Sequence, residues 1–442
     1  MATPTRAFQS ATLRQQWREA RQNTDELFRV VRERCLYERP IPERHRIIFY
    51  LGHLEAFDLN LFRYDESRLH SFHPQFDKLF AFGIDPVGGG LPTDTAEDWP
   101  ALETVKRYRD RVRHELDHFL DELDSSEASA FGTVSTETLL HVAIEHRLMH
   151  AETLAYMFHR LPVESKHPQK EAIFGAAPVE ARMVKIPAGR ATLGLSRQGH
   201  GPFGWDNEFE ALQVEVPAFQ IDKYMVTNAE YLEFMGSGAY RDSSLWSADD
   251  WGWKETQNIQ HPAFWKLRDG QWFYRAMFQE LPLMPDWPVY VSHAEASAFA
   301  RWAKKSLPTE AQWHRAAYGT SQAAERAFPW GESIQQSVRG NFDFSRWDPV
   351  PVNAFPENES AFGVAGQLGN GWEWTSSLFA PLPDFEPFPF YQGYSANFFD
   401  GKHYVLKGGS SRTAASMLRR SFRNWFQPHY QYVYSGFRCV SN

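Results

Sequence analysis

The stretch VSTETLLHVAIEHRLMHAETLAYMFHR, residues 134–160, repeats apolar residues at helical spacing between polar ones. This is the pattern of an amphipathic helix that buries one face against other helices. Three further segments, at 10–38, about 42–62 and about 100–124, show the same spacing with charged faces. Four such helices predict an N-terminal helical bundle.

The segment at 70–99 interrupts this pattern. It contains Pro86, Pro92 and three glycines at 88–90, residues that favour turns over regular structure. We expect a long loop at one end of the bundle.

The texture of the sequence changes after Pro162. A Lys- and His-containing segment resembles a linker, and residues beyond it are rich in Gly, Pro, Trp and short strand-like runs. Helical spacing returns at 228–234, 293–303 and 310–317. The sequence therefore predicts an α+β protein with these parts: a four-helix bundle at 1–165, a linker at 166–179 and a second domain at 180–442.

Composition excludes several classes of protein. Hydrophobic residues make up 43% of the chain, which is typical of a globular protein. A net charge of -9 argues against a nucleic-acid partner, because phosphate binding needs clustered Lys and Arg. The N-terminus has no apolar signal region, and no run approaches the roughly 20 apolar residues that cross a bilayer. We expect a cytoplasmic protein without a membrane or nucleic-acid partner.

The two cysteines, Cys35 and Cys439, lie near opposite ends of the chain. This separation excludes a CxxC pair, a Cys-rich zinc site or a disulfide framework. The 17 histidines are therefore the first candidates for metal ligands.

The segment His146-Arg-Leu-Met-His150 places two imidazoles at positions i and i+4, on one face of the fourth predicted helix. A third ligand must come from another helix. His53 is attractive because the preceding Gly52 permits close approach of another helix. His53, His146 and His150 are therefore the predicted metal ligands, with ordinary core or surface histidines as the alternative.

A competing pair occurs in His114-Glu-Leu-Asp-His118, which fits the HExxH pattern of zinc proteases. Its flanks are dense in charges of both signs, which is typical of a solvated helix face. We therefore interpret His114 and His118 as surface residues.

Two carboxylates lie near the predicted ligands. Glu152 follows His150 by two residues and so points to a different helical face, where it would orient a ligand or serve a structural role. Asp58 is the other carboxylate that could serve such a role near the ligands.

Three neutral imidazole ligands would leave a bound iron(II) ion with its full charge. They would also leave coordination positions open for substrates and dioxygen.

Short strings throughout the second part follow one another in a familiar order and spacing. The strings are Met183-Val-Lys-Ile-Pro-Ala-Gly189, Ile221-Asp-Lys-Tyr-Met-Val-Thr-Asn228, Pro288-Val-Tyr-Val-Ser-His-Ala-Glu295, Leu307-Pro-Thr-Glu-Ala-Gln-Trp313, Phe328-Pro-Trp-Gly331, Gly369-Asn-Gly-Trp-Glu-Trp-Thr375 and Gly436-Phe-Arg-Cys439. They resemble the formylglycine-generating-enzyme or sulfatase-modifying-factor domain, which has a C-type-lectin-like fold. The N-terminal part resembles the DinB-like metal-binding bundle, and the joined arrangement resembles the sulfoxide synthases (hercynine oxygenases) of ergothioneine biosynthesis.

The resemblance implies a reaction and a metal. In that family an HxxxHxE segment and one earlier histidine hold iron, which here implies His146, His150 and His53 as ligands and Fe(II) as cofactor. The reaction joins imidazole C2 of hercynine to the sulfur of a thiol, and dioxygen gives a sulfoxide.

The segment from Arg420 to His429 has suitable chemistry for hercynine, because aromatic faces attract quaternary ammonium groups and arginines bind carboxylates. We predict Asn424, Trp425 and Phe426 as substrate-binding residues, with core packing as the alternative. The family also uses a tyrosine as proton donor, for which Tyr391 and Tyr394 are candidates on a predicted loop.

The sulfur donor is left open by one departure from the family pattern. Members that use γ-glutamylcysteine carry an acidic residue and an arginine just after the tryptophan, whereas Phe426 and Tyr430 occupy that stretch here. This favours a smaller thiol such as cysteine, and it keeps open a related selenoneine synthase that uses a selenosugar. Formylglycine generation is disfavoured because Cys439 has no second cysteine beside it, and a non-catalytic ligand-binding module is the alternative of another class.

Overall fold

The computed structural model describes residues 6–64, 69–81, 91–125, 130–131, 134–174, 179–198, 201–334 and 340–441. The chain divides into two compact units, Met1–Gln169 and Lys170–Asn442. In the described residues no helix is long and apolar enough to cross a membrane.

The first unit is helical, and its four long helices pack as the predicted bundle. Its elements are α1 (Arg6–Phe28), α2 (Ile47–Phe62), α3 (Pro74–Leu79), α4 (Leu102–Ser125), β1 (Ala130–Phe131), β2 (Val134–Ser135) and α5 (Thr136–Arg160). Helix α5 begins where Ser135 accepts a hydrogen bond from the backbone N–H of Thr138, a typical N-cap. The centre of the bundle contains fully buried Trp17 and Tyr50.

The predicted first helix at 10–38 was too long. It ends at Phe28, because the chain turns at Val30 and then pairs Val31 with Lys166 as an isolated β-bridge. A separate 3-10 turn covers Glu33–Tyr37. The second helix starts at Ile47 rather than near residue 42, after the prolines at 40 and 42, which restrict the backbone around them.

The predicted loop at 70–99 is only partly irregular. Helix α3 and a 3-10 turn at Ala96–Asp98 lie within it. The glycines at 88–90 and Pro86 lie outside the described residues, whereas Pro92 accepts a hydrogen bond from Arg39.

The described residues of the second unit form four short helices and several small sheets, as expected for an α+β domain. The helices are α6 (Asn228–Gly236), α7 (Ala248–Thr256), α8 (His293–Trp302) and α9 (Glu310–Tyr318). Helices α6, α8 and α9 begin with capping boxes at Thr227, Ser292 and Thr309. Helix α7 was not predicted from the sequence, because its tryptophans and glycine obscure the helical spacing of apolar residues.

The strands of this unit are β3 (Met183–Ile186), β4 (Gly189–Leu193), β5 (Leu212–Val216), β6 (Phe219–Asp222), β7 (Trp265–Arg268), β8 (Gln271–Arg275), β9 (Glu280–Pro282), β10 (Gly371–Leu378), β11 (Tyr404–Gly409), β12 (Asn424–Phe426), β13 (Ser435–Gly436) and β14 (Val440–Ser441). The largest sheet has the order β12-β11-β10-β13, antiparallel except for the parallel pair β10–β13. Three smaller sheets have the orders β14-β6-β3, β4-β5 and β7-β8-β9.

A buried ion pair lies at the centre of the largest sheet. Arg438 donates to both carboxylate oxygens of Glu373 on β10, at 2.6 and 2.7 Å, and Trp313 donates to the same carboxylate at 2.8 Å. All three side chains are fully buried. A charge removed from water in this way must keep its partner, so these contacts fix α9 and the C-terminal segment against β10.

Candidate functional site

Helices α2 and α5 bring three histidine side chains to one point inside the bundle. The Nε2 atom of His150 lies 3.2 Å from Nε2 of His53 and 3.1 Å from Nε2 of His146. The ligand atoms of the three residues all lie within 4.8 Å of one another. The structure therefore places the three predicted ligands together, with the same ring nitrogen of each turned toward the others.

The orientation of His53 is fixed from outside the cluster. Its Nδ1 atom lies 2.7 Å from the carbonyl oxygen of Phe80, at the end of α3. A carbonyl can only accept, so Nδ1 carries the proton and Nε2 presents a lone pair. Metal-ligating histidines commonly donate their outer N–H in this way.

Gly52 makes this contact sterically feasible. A Cβ atom at position 52 would lie 2.6 Å from the ring of Phe80, closer than real contacts allow. The sequence predicts that Gly52 permits close approach of another helix. The group that lies against Gly52 is the ring of Phe80, the C-cap residue of helix α3.

Aromatic rings pack against the three imidazoles. Phe57 stacks on His146 with ring centroids 3.4 Å apart, and Phe49 stacks on His53 at 4.8 Å. These contacts restrict ring rotation, and they surround the nitrogens with apolar groups that keep water away.

Burial sets the protonation state of the cluster. It lowers the pKa of His53 to about 4, against the weaker opposing effect of the hydrogen bond to Phe80. Burial, reinforced by the neighbouring histidines, lowers the pKa of His146 and His150 well below the ordinary value. All three imidazoles are therefore neutral at pH 7, the form that binds metals.

This donor set fits a divalent transition metal. Imidazole nitrogen suits iron, zinc, copper and nickel, and three neutral ligands leave further coordination positions open. Two neutral imidazoles can share one hydrogen bond, but three converging Nε2 atoms in a dry pocket are better satisfied by a cation.

The two nearby carboxylates take different positions. Asp58 is fully buried and accepts hydrogen bonds from Trp17 at 3.0 Å and Arg147 at 2.8 Å, so its contacts are structural. Glu152 is 9% exposed and follows the last histidine by two residues, on another face of α5.

The HExxH segment lies on the surface of α4, as expected from its charged flanks. His114 is exposed, and His118 is exposed and lies 3.5 Å from Glu122 of the same helix. Neither residue belongs to the buried histidine group.

The predicted substrate residues form β12, at the edge of the largest sheet. Asn424, Trp425 and Phe426 are all half-buried, and they pair with Leu406, Val405 and Tyr404 of β11. Edge position and partial exposure leave these side chains accessible to a small molecule.

Trp425 lies inside an aromatic group of the second unit. Its ring is parallel to that of Phe379, with centroids 4.2 Å apart, and it meets Tyr394 edge-on at 5.5 Å. Tyr394 in turn stacks on Trp205 at 4.0 Å. The structure thus brings the predicted tryptophan and one of the two predicted tyrosines together.

Tyr391 and Tyr394 occupy the loop before β11, as expected. Tyr394 is 8% exposed, whereas Tyr391 is half-buried and lies 5.4 Å from Tyr394 between ring centroids. The Tyr391 ring is therefore the more accessible of the two.

Sequence reasoning missed the residues that hold this loop. Asp206 is fully buried, and the hydroxyl of Ser395 donates to it at 2.6 Å. Burial raises the pKa of Asp206 to about 6, against opposing hydrogen bonds from Ser395 and from backbone amides. Asp206 and Ser395 are 189 positions apart in the sequence, so no local sequence signal indicates the contact.

Comparison with known proteins covers both units. Residues 16–154 match the DinB superfamily, and residues 170–442 match the sulfatase-modifying factor enzyme 1-like domain. A hercynine oxygenase of Mycolicibacterium thermoresistibile is 35% identical over 386 residues, which cover 85% of this chain and 82% of that protein. The ergothioneine biosynthesis protein 1 of Neurospora crassa is 28% identical over 92% of this chain, which spans 55% of the fungal protein. The order of the two domains and this similarity agree with the resemblance expected from the sequence motifs, and the chain therefore belongs to the hercynine oxygenase family of oxidoreductases.

Proposed function

We propose that this enzyme is an iron(II)- and oxygen-dependent sulfoxide synthase that forms a bond between imidazole C2 of hercynine and the sulfur of a thiol. The observation that carries the proposal is the convergence of three neutral, buried histidine nitrogens at His53, His146 and His150. The names of the relatives supply the substrate, and the donor set supports the metal.

The overall reaction is a four-electron oxidation in which dioxygen is fully reduced. The C2–H bond of hercynine and the S–H bond of the thiol break, the C–S bond and one S–O bond form, and the second oxygen atom leaves as water. Bound iron(II) would supply the redox activation of dioxygen that this balance requires.

The chain's own residues contribute binding and orientation. His53, His146 and His150 would hold the metal, and Phe49 and Phe57 keep their rings in place and exclude water. Glu152 is the candidate for an outer-sphere role on α5.

The edge strand β12 would bind hercynine. The face of Trp425 offers cation–π attraction to a trimethylammonium group, and the side chain of Asn424 offers hydrogen bonds to a carboxylate. Phe426 would complete the apolar part of the site, and Tyr391 or Tyr394 would donate a proton to the reacting oxygen.

The aromatic side chains at positions 426 and 430 favour a sulfur donor smaller than γ-glutamylcysteine. Phe426 and Tyr430 stack in parallel, with centroids 5.1 Å apart, where an acidic residue and an arginine would be needed to bind the additional charges of γ-glutamylcysteine. Cysteine is therefore the proposed thiol. A selenosugar is the second candidate, because this aromatic pair also suits an uncharged donor.

The test is anaerobic reconstitution with iron(II), followed by exposure to oxygen with hercynine and competing cysteine, γ-glutamylcysteine and selenosugar. Mass spectrometry should detect the hercynine–cysteine sulfoxide as the main product. A main product from γ-glutamylcysteine or the selenosugar would overturn the donor assignment. Absence of oxygen uptake with every donor would contradict the proposed function and favour a binding module.

A further inference from the structure

Arg147 lies between two of the proposed ligands in sequence, yet its side chain is completely buried on another face of α5. Its guanidinium donates to the backbone carbonyl of Leu54 at 3.0 Å and to Asp58 at 2.8 Å. It also donates to Glu55 at 3.1 Å. These three acceptors belong to α2, the helix that carries His53, and a longer hydrogen bond of 3.4 Å goes to the hydroxyl of Thr24 on α1.

These contacts fix the position of α2 relative to α5 beside the three histidines. Leu54 and Glu55 directly follow His53, and Arg147 directly follows His146. A slip of α2 by one residue would move its side chains by about 1.5 Å along the helix axis. Metal–ligand distances tolerate only about 0.2 Å, so the ligand cluster needs one fixed register.

The acceptor side of the contact is anchored to the other helices. Glu55 also accepts from Arg113 of α4, at 3.0 Å to Nε and 2.7 Å to Nη2. Arg113 in turn binds both oxygens of Asp25 on α1, at 2.7 and 2.9 Å. One chain of charges therefore joins all four long helices.

Because these charged side chains are buried, their contacts tolerate little change in geometry. The side chains of Glu55, Asp58 and Arg147 are at most 1% exposed, so a displaced partner would leave a charge in the protein interior without compensation. Apolar side chains at the same positions would pack with several registers at similar cost, whereas the multiple hydrogen bonds of one guanidinium select one register.

We propose that Arg147 is a positioning residue for the metal centre, which acts by fixing His53 of α2 relative to His146 and His150 of α5. This inference rests on the proposed function, because it assumes that the three histidines bind a divalent metal. It predicts that altering Arg147 changes the geometry of the bound metal and not only the stability of the bundle.

The test compares Arg147→Lys with the matched control Arg14→Lys, using cobalt(II) as the probe. Lysine keeps the positive charge but cannot reproduce the fork of a guanidinium. Arg14 is also a buried arginine of the bundle, at 5% exposure, but it pairs with Asp121 at 3.6 Å and so joins α1 to α4, neither of which carries a proposed ligand. Cobalt(II) reports ligand geometry through its visible absorption spectrum, independently of catalysis.

We expect Arg147→Lys to weaken cobalt binding at least tenfold and to change the visible spectrum, whereas Arg14→Lys changes affinity less than twofold. Unchanged affinity and spectrum in Arg147→Lys, with cobalt bound normally by the unaltered protein, would overturn the inference. Failure of the unaltered protein to bind cobalt or iron would instead overturn the proposed metal centre.

A second variant covers the case in which Arg147→Lys does not fold. Asp58→Asn keeps the volume of the side chain and one oxygen that accepts from Arg147, but it removes the negative charge beside the guanidinium. A threefold or larger loss of cobalt affinity is expected, and an unchanged affinity in a folded Asp58→Asn protein would contradict the positioning role.

Discussion

His53 donates from Nδ1 to the carbonyl oxygen of Phe80 across 2.7 Å, and the ring of Phe80 occupies the space beside Gly52. Phe80 therefore orients the imidazole through its carbonyl oxygen and packs its ring against the helix that carries His53. Because only glycine leaves room for this ring, the orientation of a proposed ligand depends on a residue that itself binds nothing.

Replacing Gly52 with alanine should weaken metal binding. The added Cβ would push Phe80 and its carbonyl away from His53, and loss of such an outer contact typically costs a factor of about 10 to 100 in metal affinity. Titration with cobalt(II) would measure the change. Gly236→Ala is the control, since a Cβ there meets nothing within 4 Å, and its affinity should equal that of the unaltered protein. Equal affinities for both variants would contradict this role of Gly52.

Replacing His146 with alanine should abolish iron binding and leave most of the bundle folded. Two remaining imidazoles hold the metal far more weakly, while helix packing depends on the apolar residues and ion pairs around them. Iron content after reconstitution and helical circular dichroism would measure the two effects. His114→Ala should retain full iron content, because His114 is exposed on α4. Normal iron content in the His146 variant would remove this residue from the site.

Replacing Trp425 with leucine should weaken hercynine binding and leave metal binding intact. Loss of a partly desolvated cation–π contact of about 1–2 kcal/mol corresponds to roughly a 5- to 30-fold loss of affinity. Calorimetric titration of the metal-loaded protein with hercynine would measure it. The half-buried Trp272 of β8 supplies the control Trp272→Leu, for which hercynine affinity should not change. If the Trp425 variant also keeps its affinity, β12 is not the hercynine site.

The stability of the second unit should depend on pH through Asp206. Burial raises its pKa from 3.8 to about 6, so the folded protein holds this proton more tightly than the unfolded chain. The resulting stabilisation is complete below pH 4 and is lost as the pH rises through 6, with a total of up to about 3 kcal/mol.

Urea unfolding at pH 4, 5, 6 and 7, followed by tryptophan fluorescence, would measure this loss. Asp206→Asn should abolish this part of the pH dependence, whereas exposed Asp384→Asn should keep it. An identical pH profile for Asp206→Asn and the unaltered protein would show that Asp206 does not titrate in this range.

The sequence predicts those parts of the site that follow from local periodicity. Helical spacing places His146 and His150 on one face of α5, and the family motifs give the order of the two domains. The choice of His53 needed the additional clue of Gly52. The signals for the three histidines each lie within a few residues of the side chain concerned.

Contacts between segments that lie far apart in the sequence could not be predicted from local patterns. Any residue can supply the carbonyl that Phe80 gives to His53, so nothing in the sequence distinguishes it. Arginine side chains are usually exposed, and only the approach of Glu55 and Asp58 from α2 makes the burial of Arg147 favourable. The stack of Trp205 on Tyr394 likewise depends on how two remote loops meet.

Anomalous diffraction at the iron edge, from crystals of the anaerobically reconstituted protein, tests the central claim most directly. The account predicts one strong peak bonded to Nε2 of His53, His146 and His150, with no carboxylate in contact. Iron at another position, or a carboxylate in place of one of these histidines, would contradict it.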